Sequence, residues 1–219
     1  VLVNNAGIVG AGVVPMEDVS FESWRQVMTI NLDAVFLGCQ AAIREMKSSG
    51  GGSIINISSI MGIVGGAGAA YNASKGGVRL LSKSVAVYCG NNRYNIRCNS
   101  IHPGYIWTPM VKGIVDSVAD VDTEEALKLM LEAKHPIGRL GEADDIAQGV
   151  LFLASDESKS DPRVKGLRDD MQYVTGWLIV VLSAGGGSIT RFLLPHTVSC
   201  FAFADLLYIS HAADDLICV

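Results

Sequence analysis

A chain of 219 residues, 49% hydrophobic and 18% charged, is long enough to bury a substantial core as one large domain. A net charge of −5 without a basic cluster argues against a nucleic-acid partner. Cys39, Cys89, Cys98, Cys200 and Cys218 form no CxxC pair, and His102, His135, His196 and His211 are dispersed. No metal site is therefore expected, and the thiols are expected to be free in a reducing, cytoplasmic compartment.

Val1-Leu2-Val3, followed by Asn4-Asn5-Ala6-Gly7, predicts a buried strand and a tight turn. A buried strand needs neighbours on both sides, and no initiator Met or signal-peptide pattern stands before it, so upstream sequence is expected to be missing. Residues 21–48 carry apolar positions at helical spacing until Gly50-Gly51-Gly52 breaks the pattern. Asn31 is unfavourable inside such a helix, which suggests a local kink around a functional group. Residues 53–58 (SIINIS) predict a strand, 62–70 a small-residue loop, and 71–89 a second long helix ending at Gly90. Residues 96–101 (IRCNSI) predict a further strand, stopped by His102-Pro103-Gly104. This alternation argues for an α/β fold, a parallel sheet with helices on both faces and right-handed crossovers. Residues 111–134 are expected to form a mobile lid, with Asp122 and Glu125 as a capping-box-like start to its helix. Arg79, Lys83 and Arg97 read as solvated surface.

Ligands in such folds bind outside the carboxyl ends of the strands. Asn4, Asn5 and Gly7 follow the first strand, Ser58 and Ser59 the second, and Pro103, Gly104, Ile106 and Thr108 the third. Tyr71 and Lys75, in YNASK, lie four residues apart and so share one helix face. A nearby ammonium favours ionisation of a phenol whose ordinary pKa is about 10. Alone, a Y-x-x-x-K spacing carries little information. Its convergence with polar residues from three strand ends makes it a candidate catalytic base.

The matching stretches are NNAG (4–7), Asn31 in INLDAVF, ISS (57–59), YNASK (71–75), NSIHPGYIWTP (99–109), GRLGEADDIAQGVLFLASDES (138–158) and YVTGWLIVV (173–181). On these the chain resembles the short-chain dehydrogenase/reductase family, in character nearest to microbial secondary-alcohol and hydroxysteroid dehydrogenases. The resemblance implies a Rossmann-like, doubly wound parallel sheet lacking its first βαβαβ part. Residues 1–188 would be the C-terminal two-thirds of a single dehydrogenase domain, interrupted by a charged insertion at 161–172. Residues 189–219 would be a non-family extension; Pro195, His196, Asp205 and His211 break its apolar run, so it is a poor membrane span.

The resemblance also implies roles. Tyr71 would be the acid/base, Lys75 would lower its pKa and hold the nicotinamide ribose, and Ser59 would hold the substrate oxygen. Asn31 would hold a water linking Lys75 to solvent. The S-S-x-x-G pattern before Gly62 selects Ser59, whereas counting back thirteen residues from Tyr71 selects Ser58; Ser59 is preferred, with Ser58 structural. The cofactor, NAD or NADP, would meet Asn5, Ala6 and Gly7 on its adenosine side. Tyr71, Lys75, Pro103, Gly104, Ile106 and Thr108 would meet its nicotinamide side. The Gly-rich fingerprint and the residue that separates NAD from NADP are absent from the sequence, so weak dinucleotide binding by these 219 residues is expected. Met61, Val64, Tyr105, Trp107, Met110 and Val111 would line an apolar pocket for a neutral secondary alcohol, cyclic alcohol or steroid-like ketone. The alternatives are a truncated, non-catalytic family member and an oxoacyl or enoyl reductase on the same scaffold. Family members build dimers and tetramers through their two long helices, which here points to Val78, Leu81, Val85 and 39–42, the alternative being ordinary packing of these residues onto the sheet.

Overall fold

The computed structural model describes residues 1–160 except 13, 67, 116–121 and 136. The expected insertion at 161–172, the matching stretch at 173–181, the domain end at 188 and the extension at 189–219 lie outside the described residues. The main elements are β1 (Leu2–Asn4), α1 (Phe21–Met28), α2 (Ala34–Ser48), β2 (Gly52–Ile57), α3 (Ala69–Asn91) and β3 (Ile96–Ile101). They are followed by α4 (Pro109–Lys112), α5 (Glu124–Glu132), α6 (Ala143–Ala154) and α7 (Glu157–Ser160).

The three strands form a parallel sheet in the order β1-β2-β3, with Leu2 opposite Ile54 and Ile54 opposite Cys98. Alternation along β2 sends successive side chains to opposite faces. Ile54 packs with Val35, Cys39, Val78, Val85, Cys89 and Cys98 beneath α2 and α3, while Ile55 packs with Ile101, Phe152 and Leu153 beneath α6. The sheet is thus covered on both faces, as its near-continuous apolar strands require. β1 differs from expectation: Val3 is 40% exposed, because among the described residues β1 pairs along one edge only.

α1 and α2 are one helical run joined by a π-helical turn at Thr29–Asp33, where the N–H of Ala34 reaches back to the carbonyl of Thr29. The run Phe21–Ser48 is 28 residues long and apolar enough by length and composition to cross a membrane. Here it packs on the sheet through Val35 and Cys39 and carries the buried Asn31 at its middle. For the apolar residues named on the long helices, packing onto the sheet is the role observed. Val78, Val85 and Cys39 are buried in the chain's own core, and Leu81 and Ala42 pack against it. The exposed large apolar side chains on these helices are Phe21, Phe36, Leu37, Leu80 and Tyr88. The reason is geometric, since one helix has two apolar sides here and spacing alone does not say which one meets the sheet.

Arg97 is also not solvated as expected. Its guanidinium donates to Leu153 O and Ser158 Oγ at 2.8 and 2.7 Å and to Ser155 O at 3.2 Å, fastening β3 to the end of α6. The cap of α5 falls one residue later than expected. Thr123 Oγ1 accepts the N–H of Ala126 at 3.1 Å, so Thr123 rather than Asp122 starts the helix.

Candidate active site

The site is assembled where the strands end, and its rear wall is set by Asn31. Its Oδ1 accepts the N–H of Ile8 at 2.8 Å, and its Nδ2 donates to Ile8 O at 2.9 Å and to Ser74 Oγ at 3.1 Å. A side-chain amide here does what a neighbouring strand would do, pairing both backbone groups of Ile8. Asn31 therefore ties the turn after β1 to α3. The π turn that presents it is the kink expected from sequence. The expected water-holding role is not available to its amide nitrogen, whose two donors are both engaged. Inside this turn Gly7 lies against the helix. A Cβ on it would sit 3.4 Å from both Asn31 Oδ1 and Lys75 Nζ.

β2 ends in two serines with different surroundings. Ser58 continues the ladder, donating its N–H to Ile101 O at 2.8 Å, and turns its hydroxyl onto the Lys75 carbonyl at 2.7 Å. Ser59 is buried and begins a 3-10 turn, its Oγ accepting the N–H of Met61 at 3.1 Å and its carbonyl accepting the N–H of Gly62 at 2.9 Å. Gly62 closes this turn. A Cβ there would stand 2.6 Å from the Lys75 backbone and 2.9 Å from Ser58 Oγ, which explains the glycine of S-S-x-x-G.

α3 buries a stripe that includes Ala70, Ser74, Lys75, Val78 and Ser82, at the three- and four-residue spacing of one helix face. That stripe takes Lys75 inside. Its Nζ donates to Ile57 O at 2.8 Å and lies 5.7 Å from the centre of the Tyr71 ring. Burial lowers the Lys75 pKa to about 8. Burial also pushes the Tyr71 phenol above its usual value, and the nearby Ser59 hydroxyl works against that rise. The expected lowering of Tyr71 by Lys75 is thus not what this arrangement produces. The ammonium is spent on a carbonyl and faces the ring, and desolvation penalises both charged forms.

Beyond β3, Pro103 O accepts the N–H of Ile60 at 2.9 Å, joining the two strand-end loops. Tyr105 and Trp107 pair with Gly141, by Gly141 N–H to Tyr105 O at 3.1 Å and Trp107 N–H to Gly141 O at 2.8 Å. The side chain of Ile106 covers Gly141, while parallel-ladder geometry turns its own N–H and C=O to the other side. Gly104 is half-buried, Thr108 precedes α4 with its hydroxyl making no cap, and Asn5 and Ala6 are exposed. Of the expected pocket residues, Tyr105, Trp107 and Val111 are instead packed against Leu127, Leu131 and Leu140. The ammonium groups of Lys112 and Lys128 also lie over the Trp107 ring, 5.2 and 5.8 Å from its centre. These apolar side chains serve as the seat of α5, which has its own apolar stripe to bury. Met61 is half-buried, and Val64 and Met110 are exposed.

Sequence reasoning missed His102. It is fully buried, with Nδ1 3.1 Å from Ser59 O and Nε2 2.9 Å from Ser100 Oγ. Burial holds its pKa down at about 4. Its position between a strand and Pro-Gly was the available signal. Among the described residues, no group of three or more His, Cys, Asp or Glu is placed to hold a metal.

Residues 1–160 match the family described as Enoyl-(Acyl carrier protein) reductase. The chain is 48% identical over 161 residues to the NADP-dependent (R)-specific alcohol dehydrogenase of Lentilactobacillus kefiri, a match covering 72% of this chain and 60% of that protein. It is 40% identical over 159 residues to the 3-alpha-(or 20-beta)-hydroxysteroid dehydrogenase of Mycobacterium bovis, covering 72% of this chain and 54% of that one. Among solved structures, levodione reductase superimposes with a TM-score of 0.67 at 37% identity, over 73% of this chain and 60% of that one. The chain thus spans 60% or less of the length of these relatives.

Proposed function

We propose, from the membership of this chain in the short-chain dehydrogenase/reductase family, that it carries the catalytic part of an NAD(P)-dependent secondary-alcohol oxidoreductase. The substrate would be a cyclic or aliphatic alcohol, or a hydroxysteroid, and its ketone. The observation that carries this reading is the gathering of buried Ser59 and buried Lys75 with the half-buried Tyr71 at the strand ends, the Lys75 ammonium lying 5.7 Å from the centre of the Tyr71 ring. Tyr71 exchanges a proton with the substrate oxygen, and Ser59 holds that oxygen and stabilises charge on it. Lys75 supplies the positive field and a donor toward the nicotinamide ribose.

The residues fit the nicotinamide end of a dinucleotide. The Lys75 ammonium stands at the strand ends beside Tyr71, and the backbone of Ile106 is free of the Gly141 pairing. Tyr71, Lys75, Pro103, Gly104, Ile106 and Thr108 would hold that end, and Asn5, Ala6 and Gly7 would flank the adenosine side. When bound, the nicotinamide donates or accepts the hydride. With the Asn31 amide engaged, we assign the water relay toward Lys75 to the backbone of the π turn. The exposed Phe36, Leu37, Leu80 and Tyr88 are the proposed faces for assembly into dimers or tetramers.

The test is oxidation of cyclopentanol and cyclohexanol by the purified chain with NAD or NADP, followed by nicotinamide absorbance. Turnover abolished by Tyr71→Phe supports the reading. The description of the matched family favours one other reaction, reduction of the carbon–carbon double bond of an enoyl thioester, with its oxoacyl counterpart as a variant. Turnover of a crotonyl or acetoacetyl thioester with none of alcohols or ketones would establish that instead. Calorimetric titration showing no binding of either dinucleotide would make this chain a non-catalytic member.

A further inference from the structure

We propose that His135 is a specificity-determining residue whose Nε2 accepts a second hydroxyl of the substrate, so that the site takes a diol in preference to a simple alcohol. This role rests on the reading above, which places the reacting alcohol at the strand ends. His135 closes the turn after α5, with its N–H bonded to Glu132 O at 2.9 Å and its Nδ1 2.7 Å from Leu131 O. A carbonyl can only accept, so the proton of the side-chain bond belongs to Nδ1. In the neutral ring Nε2 is then a bare lone pair. It makes no hydrogen bond among the described residues, on a side chain that is half-buried rather than sealed.

Two contacts place that lone pair beside the site. Apart from its chain neighbours, a Cβ on Gly104 would have His135 Nε2, at 3.9 Å, as its one neighbour within 4 Å among the described residues. Gly104 follows Pro103, whose carbonyl accepts the N–H of Ile60, the residue after Ser59. The imidazole thus reaches, from the far end of α5, the loop that is fastened to the Ser59 turn. The Tyr105 ring meets it edge-on, with centres 6.0 Å apart and planes at 75°, and this contact and the Nδ1 bond together fix where Nε2 points. A methyl on Gly104 would only touch the ring, so the space in front of this glycine admits a ligand oxygen that comes closer, to hydrogen-bond distance. The expected apolar lining does not fill it, since Tyr105, Trp107 and Val111 pack against α5. Covering an unpaired acceptor with an alkyl group costs free energy, whereas a hydroxyl restores the bond lost to water. That asymmetry selects a substrate with a second hydroxyl near the reacting carbon.

The first readout needs no turnover. Nitrogen NMR of the histidine-labelled chain, with the His135 signals assigned by their loss in His135→Asn, is expected to show Nδ1 protonated and Nε2 bare. Titration with the cyclohexanediol isomers, with and without NADP, is expected to move the Nε2 resonance, and cyclohexanol to leave it in place. A proton on Nε2, or an Nε2 resonance that no diol moves, overturns the proposal whether or not the chain is active. Movement with NADP alone overturns it as well, since the lone pair then belongs to the cofactor. The second readout is kcat/KM, in which the parent is expected to favour the best diol over cyclohexanol by about 10-fold, the value of one hydrogen bond. His135→Asn keeps an amide where Nδ1 lies and has nothing at Nε2, so this ratio is expected to fall to about one. His135→Gln places an amide oxygen near Nε2 and is expected to keep most of the preference. A parental ratio in His135→Asn overturns the role of His135 while leaving the reading of the site intact. An Nε2 resonance moved by diol in a chain that turns over no alcohol supports the binding role and overturns that reading instead.

Discussion

Acid should weaken this fold through one buried side chain. The His102 pKa is about 4 in the folded protein against an ordinary 6.5, chiefly because burial penalises the charged ring. Arg79, Lys83 and Lys75 act in the same direction, and the bond to the Ser59 carbonyl opposes them. Below 6.5 the unfolded chain takes up a proton at this position that the native protein refuses until about 4. Stability is therefore complete above 6.5 and falls as the pH falls through this window. The loss is about 2 kcal/mol between about pH 7.5 and about pH 5, and about 3 kcal/mol by about pH 4. Urea unfolding followed by circular dichroism, run on the parent and on His102→Gln, isolates the contribution. With an m-value of about 2 kcal/mol per molar, the parent's midpoint should drop by about 1 M more than the variant's over that step. Parallel pH profiles for the two proteins would refute the reasoning, since every other titrating group is common to both.

Three further outcomes are expected. Ser58→Ala should cost about 1–2 kcal/mol of stability in urea unfolding by leaving the Lys75 carbonyl without its extra donor, while Ser59→Ala should lower turnover about 100-fold with little loss of stability; the reverse pattern would exchange their roles. Gly62→Ala should destabilise by about 2–3 kcal/mol, read as a lowered thermal midpoint, because its methyl would meet the α3 backbone rather than a side chain that can move. Lys75→Met should abolish turnover yet raise neutral-pH stability by about 1–2 kcal/mol, since removing a charge that burial penalises by about 3 kcal/mol outweighs a lost bond of about 1 kcal/mol. The parent should also gain stability as pH rises from about 8 to 10.5, where only the unfolded state still holds the Lys75 proton, and the variant should lack that gain.

Much of this was legible in the residues. The β2 and β3 strands follow from apolar β-branched runs ended by Gly, Ser and Pro, and observed bounds agree to within a residue. The kink at Asn31 was legible because a mid-helix amide is unfavourable unless something else uses it. The two serines could be told apart by the glycine spacing, and their different partners now give that spacing a physical cause. Other features were closed to such reading. Nothing in IWT or PMVK says that Trp107 and Val111 turn toward α5, because the helix that claims them lies some twenty residues on. Nothing in the pattern of α3 says which apolar side faces the sheet.

The sequence by itself determined the periodicities, the strand ends and the residue types gathered there, because these depend on neighbours a few positions away. Only the tertiary structure decided the protonation chemistry. Whether a phenol is raised or lowered, an ammonium weakened or a histidine held neutral depends on how completely water is removed and on which carbonyl or hydroxyl replaces it. Those partners come from distant segments: Ile57 for Lys75, Ser59 for Tyr71, and Ser59 with Ser100 for His102.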